Sequence, residues 1–456
     1  MKHIINIYPR LAIGFIATIT LFVFMISLAV AASRQETGVV CRLKTDRDIF
    51  PAGESQNIVL KISLDAPLPP ADIQRPAVNI ALVLDRSGSM NGTKIEQEKA
   101  AAQEALNRLG LKDIFSLVTY NNTIQTIVPA QEPRHRNEIR NTIRKIHAGG
   151  NTALFGGVSQ GAAEIRKNIG NDYVHRIVLL SDGLANVGPS TPEDLARLGA
   201  ALIKENISVT TVGVGVDYNE DLMARLSQKS DGNTYFVESS YDLPAIFTAE
   251  LGDVLNVVAK KVKIIITLAK DVIPVGIIGR EGRINGNRIT LSMNQLYGGQ
   301  EKYALVEVKL PASTPGSHQK IAQADVYYEN PFTRKQVQSS GVSHIKFSSN
   351  PAKVAASTNI DVVREYQLNL NALAQEKAIE LSDKGQKKKA VAELKKSAGK
   401  LKEMGAKYKD EILLEEADSI EDQAQRIETE GMSKKSRKVL RTNSFQMKNQ
   451  QLLKKE

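Results

Sequence analysis

Between Val78 and Val257 short apolar runs alternate with longer amphipathic stretches, and this alternation constrains the fold more than any other feature of the chain. The apolar runs are Val78–Leu84, Ile114–Tyr120, Thr123–Val128, Arg176–Leu180, Ser208–Val214 and Thr234–Val237. They have the length and β-branched content of strands. Helical spacing fills the intervals at Lys94–Leu109, Arg136–Ile146, Phe155–Lys167, Pro192–Glu205, Glu220–Ser227 and Leu243–Val254. Strand and helix in strict alternation predict an α/β fold: a doubly wound, mostly parallel sheet with helices on both faces. One connection departs from this rule. Asn121-Asn122 is too short for a crossover, so Ile114–Val128 is expected to form an antiparallel edge.

The flanks of this block, residues 77–257, read differently. Within residues 38–72, Ile58, Leu60, Ile62 and Leu64 alternate with more polar neighbours; within 259–350, Val262, Ile264, Ile266 and Leu268 do the same, and Asn285-Gly286 supplies a tight hairpin turn. Two β-rich flanks around an α/β block predict one β-sandwich into which the α/β domain is inserted, because domain termini lie close together. A helical C-terminal region follows. Over 359–430 the spacing of Ala378, Leu381, Ala390 and Leu394 around Gly385 predicts a single helical hairpin of tetratricopeptide type, and 431–456 reads as a basic, solvated tail.

The first residues form a separate element. Lys2 and Arg10 precede an unbroken apolar run, Leu11–Val30, ending in Ala29-Val30-Ala31. Residues 1–31 are expected to be a signal peptide cleaved near Ala31, or an N-terminal anchor if retained, so the chain is exported to a periplasmic, cell-surface or secreted location. With 42% hydrophobic and 24% charged residues the remainder has an ordinary folded composition. The formal charge of +10 suits an anionic surface, while 5% aromatic residues and no Trp argue against a base-stacking nucleic-acid binder. Cys41 is the only cysteine, which excludes an intramolecular disulfide and a cysteine-built zinc site; it is read as a packed strand residue.

The chemistry concentrates where apolar runs end. In "ALVLDRSGSMNG" the oxygens of Asp85, Ser87 and Ser89 follow a strand at alternate positions, and Gly88 and Gly92 allow the turn that would let them converge. "HAGGNTALFGG" places Thr152 in a glycine-bracketed loop before a helix, and "RIVLLSDGLANVG" ends another strand at Asp182. Ligands of open α/β sheets bind beyond the carboxyl ends of strands, and convergent hard oxygens with open positions suit Mg²⁺. Asn186 is assigned to turn stabilisation.

These phrases, with "VTTVGVGVDYNEDLM", resemble the von Willebrand factor A family, in particular a bacterial exported subset similar to calcium-activated chloride channel homologues and to inter-alpha-trypsin inhibitor heavy chains. The family's metal-ion-dependent adhesion site, D-x-S-x-S then T then D, falls on Asp85, Ser87, Ser89, Thr152 and Asp182. The resemblance implies direct ligation by Ser87, Ser89 and at times Thr152, action through water by Asp85 and Asp182, and Mg²⁺ as the ion, with Ca²⁺ or Mn²⁺ as substitutes. It also implies a protein partner that supplies an acidic side chain to the metal, and neither a nucleic acid nor a small-molecule substrate. The competing expectation is an envelope assembly factor that binds through its helical region, with the metal only stabilising.

Enzyme signatures are present only in fragments. Gly157-Val158-Ser159-Gln160-Gly161 has the nucleophile-elbow pattern but no strand before it. Gly213-x-Gly215 is followed by Tyr218 where a dinucleotide loop needs glycine. Asp85 as a phosphoryl acceptor lacks the usual second carboxylate, Ser87 standing there instead. The expectation is a binding protein, not an enzyme.

Overall fold

The computed structural model describes residues 38–451 except 71–73 and 171–172, so the export segment lies outside the described residues. Three bodies follow from the chain order. Strands β1 (Val40–Thr45), β2 (Ile49–Pro51) and β3 (Gln56–Asp65) come first. An α/β domain follows: β4 (Ala77–Asp85), α1 (Thr93–Arg108), β5 (Ile114–Tyr120), β6 (Ile124–Gln131), α2 (Arg136–Arg144), α3 (Leu154–Arg166), β7 (Tyr173–Ser181), α4 (Pro192–Leu202), β8 (Ile207–Val214), α5 (Glu220–Ser230), β9 (Thr234–Val237) and α6 (Leu243–Val254). Then come β10 (Val257–Leu268), β11 (Ile273–Ile278), β12 (Gly282–Asn285), β13 (Arg288–Tyr297), β14 (Glu301–Leu310), β15 (His318–Glu329) and β16 (Gln336–Ser348). Helices α7 (Pro351–Ala356), α8 (Ile360–Asp383), α9 (Lys387–Tyr408), α10 (Glu411–Glu430) and α11 (Lys434–Asn449) close the described chain.

The central sheet has the order β6-β5-β4-β7-β8-β9, parallel except for the β5–β6 edge hairpin. Burial on both faces is visible within a single strand. Val78, Ile80, Leu82 and Leu84 of β4 enter one core with α1 and α6, whereas Ala81 and Val83 enter a second with α3 and α5. A half-buried strand would have alternated with polar residues; β4 cannot, because its pleat alternates between two apolar layers. The helix starts are chemically specified. At α4, Thr191 and Asp194 form a reciprocal capping box ahead of Pro192.

The flanking strands form one sandwich around a shared core. Sheet β1-β3-β14-β11 joins strands from before and after the inserted domain, with Leu60 opposite Val306 and Ile62 opposite Ala304. It faces the sheet β12-β13-β10-β15-β16-β2. Leu60, Ile62, Val262, Ile264, Val306 and Val326 meet in its interior, and Cys41 is packed there too, burial pushing its thiol up to about 12.

Two expectations for the C-terminal region need correction. Residues 359–430 form three helices rather than a hairpin: Lys409 adopts a left-handed conformation and Asp410 caps α10 by accepting from the Leu413 amide. Residues 434–449, read as part of a basic tail, are a helix docked on the α/β domain. Leu440 and Phe445 are buried, and the lysines and arginines pair with acids, Lys434 and Lys435 while still exposed and the others at least partly buried. Arg437 bonds Glu220 and Asp221, and Lys438 donates to Glu220 at 2.9 Å. Those acids occupy the first turn of α5, where the helix dipole favours them, far from the tail in sequence.

Candidate metal centre

β4 and β7 are adjacent and parallel, so their carboxyl ends deliver Asp85 and Ser181-Asp182 side by side. Asp85 is fully buried. Its Oδ1 accepts the Ser87 amide at 2.9 Å and its Oδ2 accepts the Ser181 hydroxyl at 2.7 Å. The first bond turns the chain back after the strand, which brings Ser87 and Ser89 over the sheet end. Ser87 Oγ then lies 3.1 Å from Ser89 Oγ, and Ser89 Oγ donates to Asp182 Oδ1 at 2.7 Å.

The third loop is tied to the first by backbone. The Gly88 amide donates to the Gly150 carbonyl at 2.9 Å, and the Gly149 amide to that of Arg86 at 2.8 Å. Gly150 has φ +87°, and a Cβ there would meet Asn122 Oδ1, so this crossing requires glycine. Thr152 is held from the other side, its amide donating to Asn186 Oδ1 at 2.8 Å while its carbonyl accepts the Asn186 amide at 3.1 Å. Asn186 is thus a turn element. A Cβ added at Gly183 would lie 3.3 Å from Ser89 Oγ and 3.5 Å from Thr152 Oγ1, so both hydroxyls converge on the space this glycine leaves open. All five expected residues gather at one sheet end. They sit deeper than an exposed cage: Asp85, Ser87, Thr152 and Asp182 are buried and only Ser89 is exposed.

The donor set fits a small hard cation. An octahedral ion with metal–oxygen bonds of about 2.0–2.1 Å has adjacent ligand oxygens about 2.9 Å apart. The oxygen separations of 3.1 and 2.7 Å along Ser87–Ser89–Asp182 bracket that value. Among the described residues no three His, Cys, Asp or Glu side chains gather to hold a metal, so a hydroxyl-rich site is the arrangement on offer.

Electrostatics point the same way. Burial pushes the Asp85 carboxyl up to about 6 against the hydrogen bonds from Ser87 and Ser181, with the charge of Asp182 adding to the rise. Three residues that sequence reasoning missed complete the surroundings. Lys94 places its ammonium 2.5 Å from Asp182 Oδ2. Tyr120 donates to the Leu180 carbonyl at 2.8 Å beneath the site. Glu98 on α1 is buried with neither carboxylate oxygen hydrogen-bonded; burial, then the charges of Asp85 and Asp182, hold it well above the usual carboxylate range. A lysine at the second position of the helix after the D-x-S-x-S loop was the available signal for Lys94. Glu98 had none, since a glutamate in an amphipathic helix reads as solvated.

The enzyme-like fragments resolve structurally. Ser159 lies inside α3 and donates to the Phe155 carbonyl at 2.8 Å. A Cβ at Gly213 would collide with the Tyr218 ring, so this glycine makes room for an aromatic packed on the strand.

Comparison with known proteins concerns the α/β domain and the overall fold. Residues 79–249 match the model of the von Willebrand factor type A domain. An uncharacterized protein of Synechocystis sp., sll0103, is 26% identical over 77% of this chain and 82% of its own length. The inter-alpha-trypsin inhibitor heavy chain H2 of Mesocricetus auratus is 31% identical over 34% of this chain, which spans only 17% of that protein. Among solved structures, a von Willebrand factor type A protein from Catenulispora acidiphila superposes with a TM-score of 0.65 at 15% identity, covering 84% of this chain and 90% of the other. That last likeness concerns the fold. Such domains are commonly metal-dependent protein-interaction modules, and the match puts a von Willebrand factor type A domain at residues 79–249 of this chain.

Proposed function

We propose that this chain is an exported binding protein, without catalytic activity of its own, that holds one Mg²⁺-type ion through Asp85, Ser87, Ser89, Thr152 and Asp182 and uses it to engage an acidic side chain of a partner protein. The observation that carries the reading is the chain of oxygens Ser87–Ser89–Asp182 at octahedral-edge spacing above a buried Asp85. Hydroxyls donate little charge, and Lys94 already balances part of the charge of Asp182. An ion bound there would keep much of its own charge, and a carboxylate from outside would complete its coordination. The exposed Leu184, two residues beyond Asp182, offers apolar contact beside that position. Export rests on the basic and apolar N-terminal residues described above.

The test is affinity chromatography of envelope extract on immobilised full-length chain in Mg²⁺, followed by chelator, with an Asp85→Asn column beside it. Asparagine keeps an oxygen for the Ser87 amide, so the variant isolates the charge. A partner released by chelator and absent from the variant column is expected. Equal retention on both columns, indifferent to chelator, would return the binding function to the C-terminal helices.

A further inference from the structure

The helical region brings a second cationic feature to the metal end of the molecule. α8 begins against the sandwich, where Asn369 Nδ2 donates to the Tyr303 hydroxyl at 3.1 Å. It ends at Asp383, which bonds Arg437, and the same guanidinium bonds Glu220 and Asp221 in the first turn of α5. Because α5 follows the carboxyl end of β8, Asp383 lies at the end of the sheet where Asp85 and Asp182 emerge. α11 runs the opposite way. Lys435 at its start pairs with Glu238, just past the last residue of β9, while Gln446 near its finish donates to the carbonyl of Thr234, the first residue of β9. The α8–α9 turn is therefore at the metal end.

That turn carries Lys384, Lys387, Lys388 and Lys389, all exposed, and none makes an ion pair with a described residue. Farther along α9, Lys395 is paired with Glu428, Lys400 with Glu403 and Lys402 with Glu421, while Lys396 and Lys407 make no ion pair with a described residue. Three of these four clustered lysines stand in the first turn of α9, which contains no acid and has no side-chain cap. The helix dipole disfavours cations there, so folding gains nothing from the arrangement. We propose that Lys384, Lys387, Lys388 and Lys389 form a second contact for the acidic protein partner of the metal site. The proposal rests on the metal-binding reading above and names the partner more closely. Strand spacings of about 4.8 Å and helix layers of about 9 Å place the cluster on the order of 30 Å from Asp182. About nine extended residues cover that distance, so the partner carries one carboxylate for the metal and an acidic run about nine residues away.

Oligoglutamates of about four and about sixteen residues, the longer able to span both contacts, serve as probes against the full chain at low salt in Mg²⁺. The wild type is expected to bind the longer peptide at least about tenfold more tightly. Replacing the four lysines together (Lys384→Glu, Lys387→Glu, Lys388→Glu, Lys389→Glu) should abolish that advantage while leaving the short peptide's affinity and thermal unfolding unchanged. A retained advantage in the variant overturns the second contact and leaves the metal reading intact. Removal of Mg²⁺ without effect on either peptide overturns the metal reading, and this proposal with it. Mg²⁺-independent binding to phosphatidylglycerol vesicles, lost in the variant, together with no length advantage for the peptides, would assign the lysines to a membrane surface instead.

Discussion

β7 carries a buried polar cluster at each end, and the two are balanced differently. At its start Arg176 donates to Thr210 Oγ1 at 3.1 Å, Gln295 Oε1 at 2.7 Å and the Tyr297 hydroxyl at 2.6 Å, and lies 3.3 Å from Glu250 Oε1. Glu250 is satisfied in turn by Thr210, by Asn233 at 2.8 Å and by Tyr235 at 3.2 Å. Past the end of the same strand Asp182 is paired with the Lys94 ammonium, whereas Asp85 and Glu98 have no ion pair among the described residues, the charge of Lys99 offsetting Glu98 only in part, and the hydrogen-bonding side chains around Asp85 are hydroxyls. Both clusters are buried, so burial does not tell them apart. Charge balance does. The first closes charge on charge, leaving Arg176 Nε without a hydrogen-bond partner among the described residues, and, because Gln295 and Tyr297 belong to β13, fastens the inserted domain to the sandwich. The second has a surplus of oxygen acceptors, which a cation would satisfy.

Four substitutions or conditions can break or sharpen this contrast. The largest effect is expected at the closed end. Arg176→Met leaves Glu250 buried without its cation and should cost about 3–5 kcal/mol in urea unfolding. Mg²⁺ affinity of the folded fraction should stay unchanged. A stable Arg176→Met protein, or one with altered metal affinity, would erase the distinction between the clusters. At the open end Asp182→Asn should reverse the pattern, lowering Mg²⁺ affinity about 100-fold by titration with an effect on unfolding below about 2 kcal/mol.

The pH dependence separates the ends next. Asp85 has a folded pKa of about 6 against an ordinary 3.8, so the metal-free native state binds its proton more tightly than the unfolded chain. Its contribution to stability is present in full below the unfolded value and is lost as pH rises through about 6, an effect of about 2–3 kcal/mol. Glu98 acts in the same direction. His175, near the closed end, opposes them: burial lowers it to about 4, so its contribution is lost as pH falls below its ordinary value. The difference between wild type and Asp85→Asn in pH-dependent unfolding isolates the Asp85 component. With Mg²⁺ the sign inverts, because the ion needs the carboxylate, and affinity should rise about tenfold per pH unit up to about 6. The smallest effect is expected from Thr152→Ala, whose hydroxyl has no hydrogen bond that other residues depend on. It should weaken Mg²⁺ uptake only about threefold, and acidic-peptide binding in Mg²⁺ more than that.

The contrast also marks what the sequence makes legible. Alternating runs place β4 and β7, oxygens at their ends place Asp85, Ser87, Ser89 and Asp182, and the glycine-bracketed loop before α3 places Thr152, because strand direction and local turns decide those positions within a few residues. The pairing of Leu60 with Val306 across the inserted domain was accessible for a related reason: period-two runs on both flanks need a common core. Glu98 was not, since its role depends on which face of α1 meets the sheet end, and the only trace of Lys94 was its place just after the D-x-S-x-S loop. α11 was misread because its lysines and arginines are paired with acids distant in sequence, Glu220, Asp221 and Glu376 on two other helices and Asp217 and Glu238 in loops. Charge balance arising from tertiary neighbours leaves no trace in a local window.

The central claim is that Asp85, Ser87, Ser89, Thr152 and Asp182 together hold one divalent ion. Calorimetric titration of Mg²⁺ into the full-length wild type and into Asp85→Asn, with both proteins shown folded by circular dichroism, tests it most directly. The account predicts about one saturable site in the wild type and none in the variant over the same concentration range. Indistinguishable isotherms for the two proteins would contradict it.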